Sequence, residues 1–256
     1  MRIAIVTGAS SGIGREFAVQ MEHFYKELDE IWITARRVDR LEKLKERLRI
    51  PVRIFAGDLT EESLSGQIKE ALQTYQPDLR MLVNAAGFGK IKTVEETMKE
   101  DPALQLRMID LNCRALTELT CLCLPWMSKG SRIINIASGA AFCPQSGFAV
   151  YAATKAYVLS FSRGLQGEVK KRGIYVTAVC PGPVDTEFFQ ISGTSGSKMK
   201  DSVMETAENV VRQALLDSRK KKEVSVCGTP MKLAQAAAKF LPYRFIRLFM
   251  EHVGRK

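Results

Sequence analysis

Short runs of Val, Ile and Leu recur along this chain, each followed by a longer stretch with helical spacing, and that alternation is the strongest constraint on its fold. The runs are Ile3–Val6, Ile31–Thr34, Val52–Ala56, Met81–Val83, Arg132–Ala137 and Tyr175–Val179, with a seventh at Glu223–Val226. Amphipathic stretches lie near 13–28, 38–49, 61–74, 102–127, 151–171 and 205–218. A strand in which nearly every residue is apolar is covered on both faces, and strands separated by helices pair in parallel. The expectation is an α/β fold: one doubly wound domain over residues 1–228 with a mainly parallel seven-stranded sheet. At 256 residues the chain is long enough to bury a substantial core in such a domain.

Composition removes several function classes. The six cysteines (113, 121, 123, 143, 180 and 227) form no Cys-x-x-Cys pair, and most sit in apolar stretches, as buried free thiols do. His23 and His252 are far apart in sequence, so no metal site is expected. The chain enters a strand from its first residues and has no apolar run near the ~20 residues of a membrane span, so a soluble, cytoplasmic protein is expected. Of the net charge of +10, +8 falls between Arg219 and Lys256, where ten Lys/Arg face two Glu. The remaining body is nearly neutral and lacks basic residues interleaved with stacking aromatics, so no nucleic-acid partner is expected.

Local motifs then mark a nucleotide site. Thr7-Gly8-Ala9-Ser10-Ser11-Gly12-Ile13-Gly14 follows the first strand and opens the first helix, as in a Rossmann-type fold. Glycines there let the backbone approach a pyrophosphate, whose charge meets free N–H groups at a helix N-terminus. After the second strand comes Thr34-Ala35-Arg36-Arg37, where an NAD site usually carries Asp or Glu for the ribose hydroxyl. Arginine suits a 2′-phosphate instead, which favours NADP(H), with Arg36 the preferred contact and Arg37 beside it. The two arginines also fit the solvated start of a helix, and Ser11 supplies no second cation, so NAD(H) stays open. Asp58, ahead of Leu59, fits either an adenine contact or a helix cap. Asn84-Ala85-Ala86-Gly87 sets small residues where a backbone passes close to a cofactor.

Tyr151 and Lys155 stand one helical turn apart, with Ser138 upstream. Tyrosine loses its proton near pH ~10, and a lysine on the same face is expected to lower that value towards the working range of an acid/base. A nearby serine hydroxyl suits a substrate carbonyl.

Together these pieces resemble the short-chain dehydrogenase/reductase family, in its compact single-domain branch, over nearly all of residues 1–228. The carrying residues are Thr7–Gly14, Asp58, Asn84–Gly87, Asn112, Ser138, Tyr151 with Lys155, and Pro181-Gly182 followed by Thr186. Ala85 departs from the family, which often has asparagine there. The resemblance implies that Tyr151 protonates the carbonyl oxygen as hydride arrives from the nicotinamide. It gives Ser138 the role of orienting that carbonyl, and Lys155 the roles of lowering the Tyr151 pKa and holding the nicotinamide ribose. Asn112 would kink its helix and bind a water linking Lys155 to solvent. Pro181, Gly182, Val184 and Thr186 would lie along the nicotinamide, and Ser10, Ser11, Ile13 and Leu59 along the rest of the dinucleotide. A homodimer or homotetramer is implied as well.

The substrate wall is expected from Ala140, Phe142, Gln145, Phe148 and Phe188, with Phe88 and Phe189, and a mobile lid near 190–200. Its aromatic character points to an apolar ketone. Residues 229–256 read as a basic amphipathic helical tail with Leu233, Ala237, Phe240 and Leu241 on one face; Phe245, Ile246, Phe249, Met250 and Val253 follow at helical spacing. Such a tail packs on the domain, on a partner subunit, or against a membrane surface. Similar tails occur in family members resembling lipid and long-chain acyl reductases, which points to a long-chain or polycyclic ketone. The resulting reading is NADPH-dependent reduction of an apolar ketone. Its alternatives are an NAD-preferring alcohol oxidiser and a nucleotide-binding, membrane-associated protein without chemistry.

Overall fold

The structure is a computed structural model that describes residues 1–192, 204–240 and 244. Among these residues, seven strands form one parallel sheet: β1 (Arg2–Thr7), β2 (Glu30–Ala35), β3 (Val52–Ala56), β4 (Asp78–Asn84), β5 (Arg132–Ile136), β6 (Tyr175–Val179) and, after two short strands, β9 (Val224–Ser225). Their order is β3-β2-β1-β4-β5-β6-β9. The short strands β7 (Val184–Asp185) and β8 (Glu205–Thr206) pair in parallel as a separate ribbon.

Alternation along each strand divides the core into two layers. Ala4, Val6, Ile31, Ile33 and Val83 face α1 (Gly12–Phe24), α2 (Val38–Arg47) and α9 (Ala207–Arg219), meeting Phe17, Met21, Leu41, Val211 and Leu215. Ile3, Ile5, Trp32, Leu82 and Ile133 face the other way, towards Leu64, Ile68 and Leu72 of α3 (Glu62–Tyr75), Leu119 of α6 (Leu116–Cys123), and Leu165 and Val169 of α7 (Ala149–Val169). Each such fully buried side chain stabilises the fold by about 1.5–3 kcal/mol relative to exposure. Gly173, at φ +72°, ends the extension of α7 and turns the chain into β6.

Three local features differ from expectation. A helix α4 (Val94–Glu100) stands where no element is predicted; Thr93 and Glu96 cap it reciprocally. The long helix expected over 102–127 is three pieces: α5 (Leu104–Ile109), a π-helical turn Asp110–Ala115 containing Asn112, and α6. A short α8 (Glu187–Ser192) follows β7.

The tail begins with α10 (Thr229–Phe240), in which Leu233, Ala237 and Phe240 face solvent while Met231, Gln235 and Ala238 are half-buried. Residues 193–203, most of the expected mobile stretch, lie outside the described residues. So do the side chain of Phe189 and the tail positions Leu241, Phe245, Ile246, Phe249, Met250 and Val253. Among the described residues no helix is long and apolar enough to cross a membrane, and no cluster of three His, Cys, Asp or Glu is placed to hold a metal.

Candidate active site

β1 and β4 are neighbours, yet the chain leaves β1 for β2 and returns later to β4, so the loops after them diverge at the carboxyl edge of the sheet. A cleft of about 970 Å³ runs along that edge.

One end of the cleft is a cradle of backbone. Gly8 has φ +67°, a conformation that glycine adopts at little cost. A Cβ there would fall 2.9 Å from the backbone of Ala86, so the loop after β1 and the run after β4 are pressed together. Buried Thr7 fixes the contact: its hydroxyl accepts from the amides of Ala85 and Ala86, both at 3.0 Å. Gly8, Ser10, Ser11, Gly12, Ile13 and Gly14 line the cleft here, and the N-terminus of α1 presents amides that favour an anion.

Two arginines flank the cradle in different ways. The side chain of Arg36 is 76% exposed, with a nitrogen 3.8 Å from Asp58 Oδ2. Arg37 folds inward and donates to Ser10 Oγ at 3.0 Å, Ser11 Oγ at 2.9 Å and Glu187 Oε2 at 2.8 Å. Sequence favours Arg36, but the structure gives the tighter contact with the glycine loop to its neighbour. Asp58 is neither free nor a helix N-cap: its Oδ1 accepts from the Thr60 amide at 2.9 Å and hydroxyl at 2.7 Å in a turn ahead of α3. Burial opposes ionisation of Asp58, but the Thr60 donations and Arg36 outweigh it and hold the carboxyl below its usual range. Leu59 lines the cleft beside it.

The other end carries the titratable groups. Tyr151 and Lys155 project from the first turns of α7 and are both buried. The Tyr151 ring stacks on Phe148 at 4.2 Å and meets Phe188 of α8 at 5.5 Å. Ser138, which follows the sheet end of β5, faces the phenol and acts to lower its pKa, and its oxygen accepts from the Ala140 amide at 3.1 Å. Lys155 Nζ donates to the Ile136 carbonyl at 2.8 Å and lies 5.6 Å from the Tyr151 ring centroid.

The expected lowering of the tyrosine pKa does not follow from this geometry. Burial pushes the Tyr151 phenol up to about 12, against the opposing influence of Ser138. Burial likewise pushes Lys155 down to about 8. At neutral pH the pair is a phenol that keeps its proton and a nearby ammonium with a readily lost one. That is a proton donor set against an apolar wall.

Most residues singled out from sequence line this one cleft: Ala85, Ala86, Gly87, Pro181, Gly182, Val184 and Thr186 on the cofactor side, and Phe88, Ala140, Gln145, Phe148 and Phe188 on the substrate side. Three do not. Asn84 turns inward, donating to Thr120 Oγ1 at 2.9 Å and Asn135 Oδ1 at 2.8 Å. Phe142 packs with Leu116, Ala137 and Val158, because the short 3₁₀ turn Gly139–Phe142 carries it away from the cleft. The Asn112 amide accepts from the Phe88 N–H at 3.1 Å and donates to the Phe88 carbonyl at 2.9 Å and Thr154 Oγ1 at 3.1 Å. Its side chain thus clamps the chain after β4.

Sequence reasoning missed Glu187 and the α10 wall formed by Pro230, Met231 and Ala234. Thr7 is readable as the head of the glycine motif but not as the acceptor for the Ala85 and Ala86 amides, and the α10 residues are readable only as part of an apolar tail. Met231 packs so closely that a Cβ on Gly182 would fall 2.7 Å from its Cγ.

Known proteins share this arrangement. The profile of the family described as short chain dehydrogenase matches residues 2–195. The 17-beta-hydroxysteroid dehydrogenase type 3 of Danio rerio is 30% identical over 221 residues, covering 83% of this chain and 68% of that protein. The serine 3-dehydrogenase of Agrobacterium fabrum is 30% identical over 249 residues, covering 94% and 97%. A solved short-chain dehydrogenase from Sphingobium yanoikuyae in complex with NADPH superposes with a TM-score of 0.77 at 26% identity, covering 94% of this chain and 97% of that one.

Proposed function

This chain belongs to the short-chain dehydrogenase family, oxidoreductases acting on CH–OH and C=O groups, and from that premise we propose that it reduces an apolar ketone to a secondary alcohol with NADPH. The observation that carries the reading is the position of Tyr151: a neutral phenol at the junction between the backbone cradle and an aromatic wall.

The residues fit a nicotinamide dinucleotide. The cradle after β1 has no room for side chains where Gly8 meets Ala86, and its helix N-terminus suits a pyrophosphate. Arg37, with Ser10 and Ser11, would hold a 2′-phosphate, a bidentate task suited to a guanidinium. Lys155 is the cation at the nicotinamide end. When bound, the cofactor supplies the hydride.

The chain's own groups do the rest. Ser138 donates to the carbonyl oxygen and fixes its distance from Tyr151. Tyr151 transfers its proton to that oxygen as negative charge develops there. With its pKa raised to about 12 by burial, the phenol holds the proton it would donate throughout the neutral range. The Lys155 ammonium stabilises the phenolate left behind. Phe88, Phe148, Phe188 and Met231 exclude water and favour an apolar substrate, a reading supported by the steroid-handling relative.

A panel of ketones followed by the loss of NADPH absorbance tests this. It should include polycyclic and long-chain ketones, and polar substrates of the kind that the name of the serine-handling relative suggests. Turnover with apolar ketones and NADPH is expected. Turnover confined to polar substrates, or to NADH, would sink the reading.

A further inference from the structure

Glu187 opens α8, and its carboxylate reaches back across the mouth of the cradle. One oxygen accepts from Arg37 at 2.8 Å and the other from Arg40 on α2. The same Arg37 guanidinium bonds the hydroxyls of Ser10 and Ser11. Two guanidinium groups and two hydroxyls thus converge beside the cofactor cradle, and the anion they meet is a carboxylate of the chain itself. A phosphate makes the same demand on its surroundings, taking charged donors and hydroxyls around several oxygens.

We propose that Glu187 is the residue that sets discrimination between NADPH and NADH: its carboxylate occupies the donors that a 2′-phosphate requires and competes with it for Arg37 and Arg40. The inference rests on the reading of Arg37 as the phosphate contact. A phosphate that takes the Arg37 N–H now given to Glu187 displaces that carboxylate, which stays beside it. In a partly exposed site, screened by a dielectric of about 80, a carboxylate left near a group carrying nearly two negative charges then opposes its binding by about tenfold in affinity. NADH lacks that phosphate and meets no such opposition. Sequence gives no sign of this, since Arg37 and Glu187 are 150 positions apart.

The test is titration of NADPH and NADH, each monitored by calorimetry, into the full chain and into Glu187→Gln, Glu187→Ala, Glu187→Asp and Arg37→Ala. Both neutral variants should bind NADPH about tenfold more tightly and NADH within about twofold of the unaltered chain. NADH binding also reports that each variant is folded. Glu187→Asp keeps the charge and should shift the NADPH/NADH ratio by less than about threefold. If Arg37→Ala selectively weakens NADPH while the neutral Glu187 variants leave the ratio unchanged or lower it, Glu187 merely steadies the arginines and this inference falls alone. If Arg37→Ala weakens both cofactors equally, the phosphate reading fails and takes the inference with it.

Discussion

Replacing Lys155 with methionine keeps the apolar stem and removes one positive charge 5.6 Å from the Tyr151 ring. Proton transfer turns the phenol into an anion, so that charge assists the reaction in proportion to its distance. With an effective dielectric of about 20, a unit charge 5.6 Å from the centre of the ring over which the phenolate charge spreads contributes about 3 kcal/mol, or about 150-fold in rate. Because burial lowers the Lys155 pKa to about 8, the group is charged below that value and neutral above it. The assistance is therefore present on the acid side and lost as pH rises through about 8. In the unaltered chain kcat for ketone reduction should fall by up to about two decades between about pH 7 and about pH 10. In Lys155→Met it should be low and flat over the same range, because Tyr151, near about 12, keeps its proton throughout. The assay is NADPH consumption at saturating cofactor and ketone, with cofactor affinity titrated separately so that lost binding is not mistaken for lost chemistry. A limb near the same pH in the variant, or a flat profile in the unaltered chain, would refute the reasoning.

Two further substitutions probe the site from either side. Tyr151→Phe retains the stack on Phe148 but has no proton to give, so turnover should fall by about 10²–10⁴-fold with NADPH affinity nearly unchanged; near-normal turnover would mean that another group is the acid. Thr7→Val keeps the shape of a buried side chain but leaves the Ala85 and Ala86 amides without their acceptor. Urea unfolding should show a loss of about 2–4 kcal/mol, and NADPH binding should weaken as the two loops separate; a change within about 0.5 kcal/mol would show that those amides find other acceptors.

How much was legible beforehand follows from what each kind of signal encodes. Strand runs such as Ile3–Val6 and Met81–Val83 are found where sequence places them, because burial on both faces demands unbroken apolar residues. Helix α4 escaped notice although Thr93 and Glu96 spell its cap, since its seven residues carry too little apolar periodicity to stand out. The π-helical turn at Asp110–Ala115 was foreshadowed only as a kink at Asn112 through the resemblance, because one extra residue in a turn leaves no mark in composition. Within the site, motif order located the cradle, Ser138, Tyr151 and Lys155, all of which converge on one cleft. Orientation was another matter. Arg37 turns inward to Ser10, Ser11 and Glu187, the last 150 residues beyond it, and no local pattern records that partner. Asn84 and Phe142 have plausible neighbours in sequence, yet their side chains complete the interior. Spacing places a cation near the tyrosine but says nothing of how deeply the ring is buried, and burial raises the pKa of the phenol.

The two sides of the cleft differ in how they are anchored. The cradle, Ser138 and Tyr151 are joined to the central sheet through β1, β4, β5 and α7, whereas Met231, Pro230 and Ala234 hang on a helix whose outward side, with Leu233 and Phe240, is exposed. A chain built in this way can exchange its outer panel, altering which molecules are admitted, while the proton-transfer apparatus stays bolted to the frame.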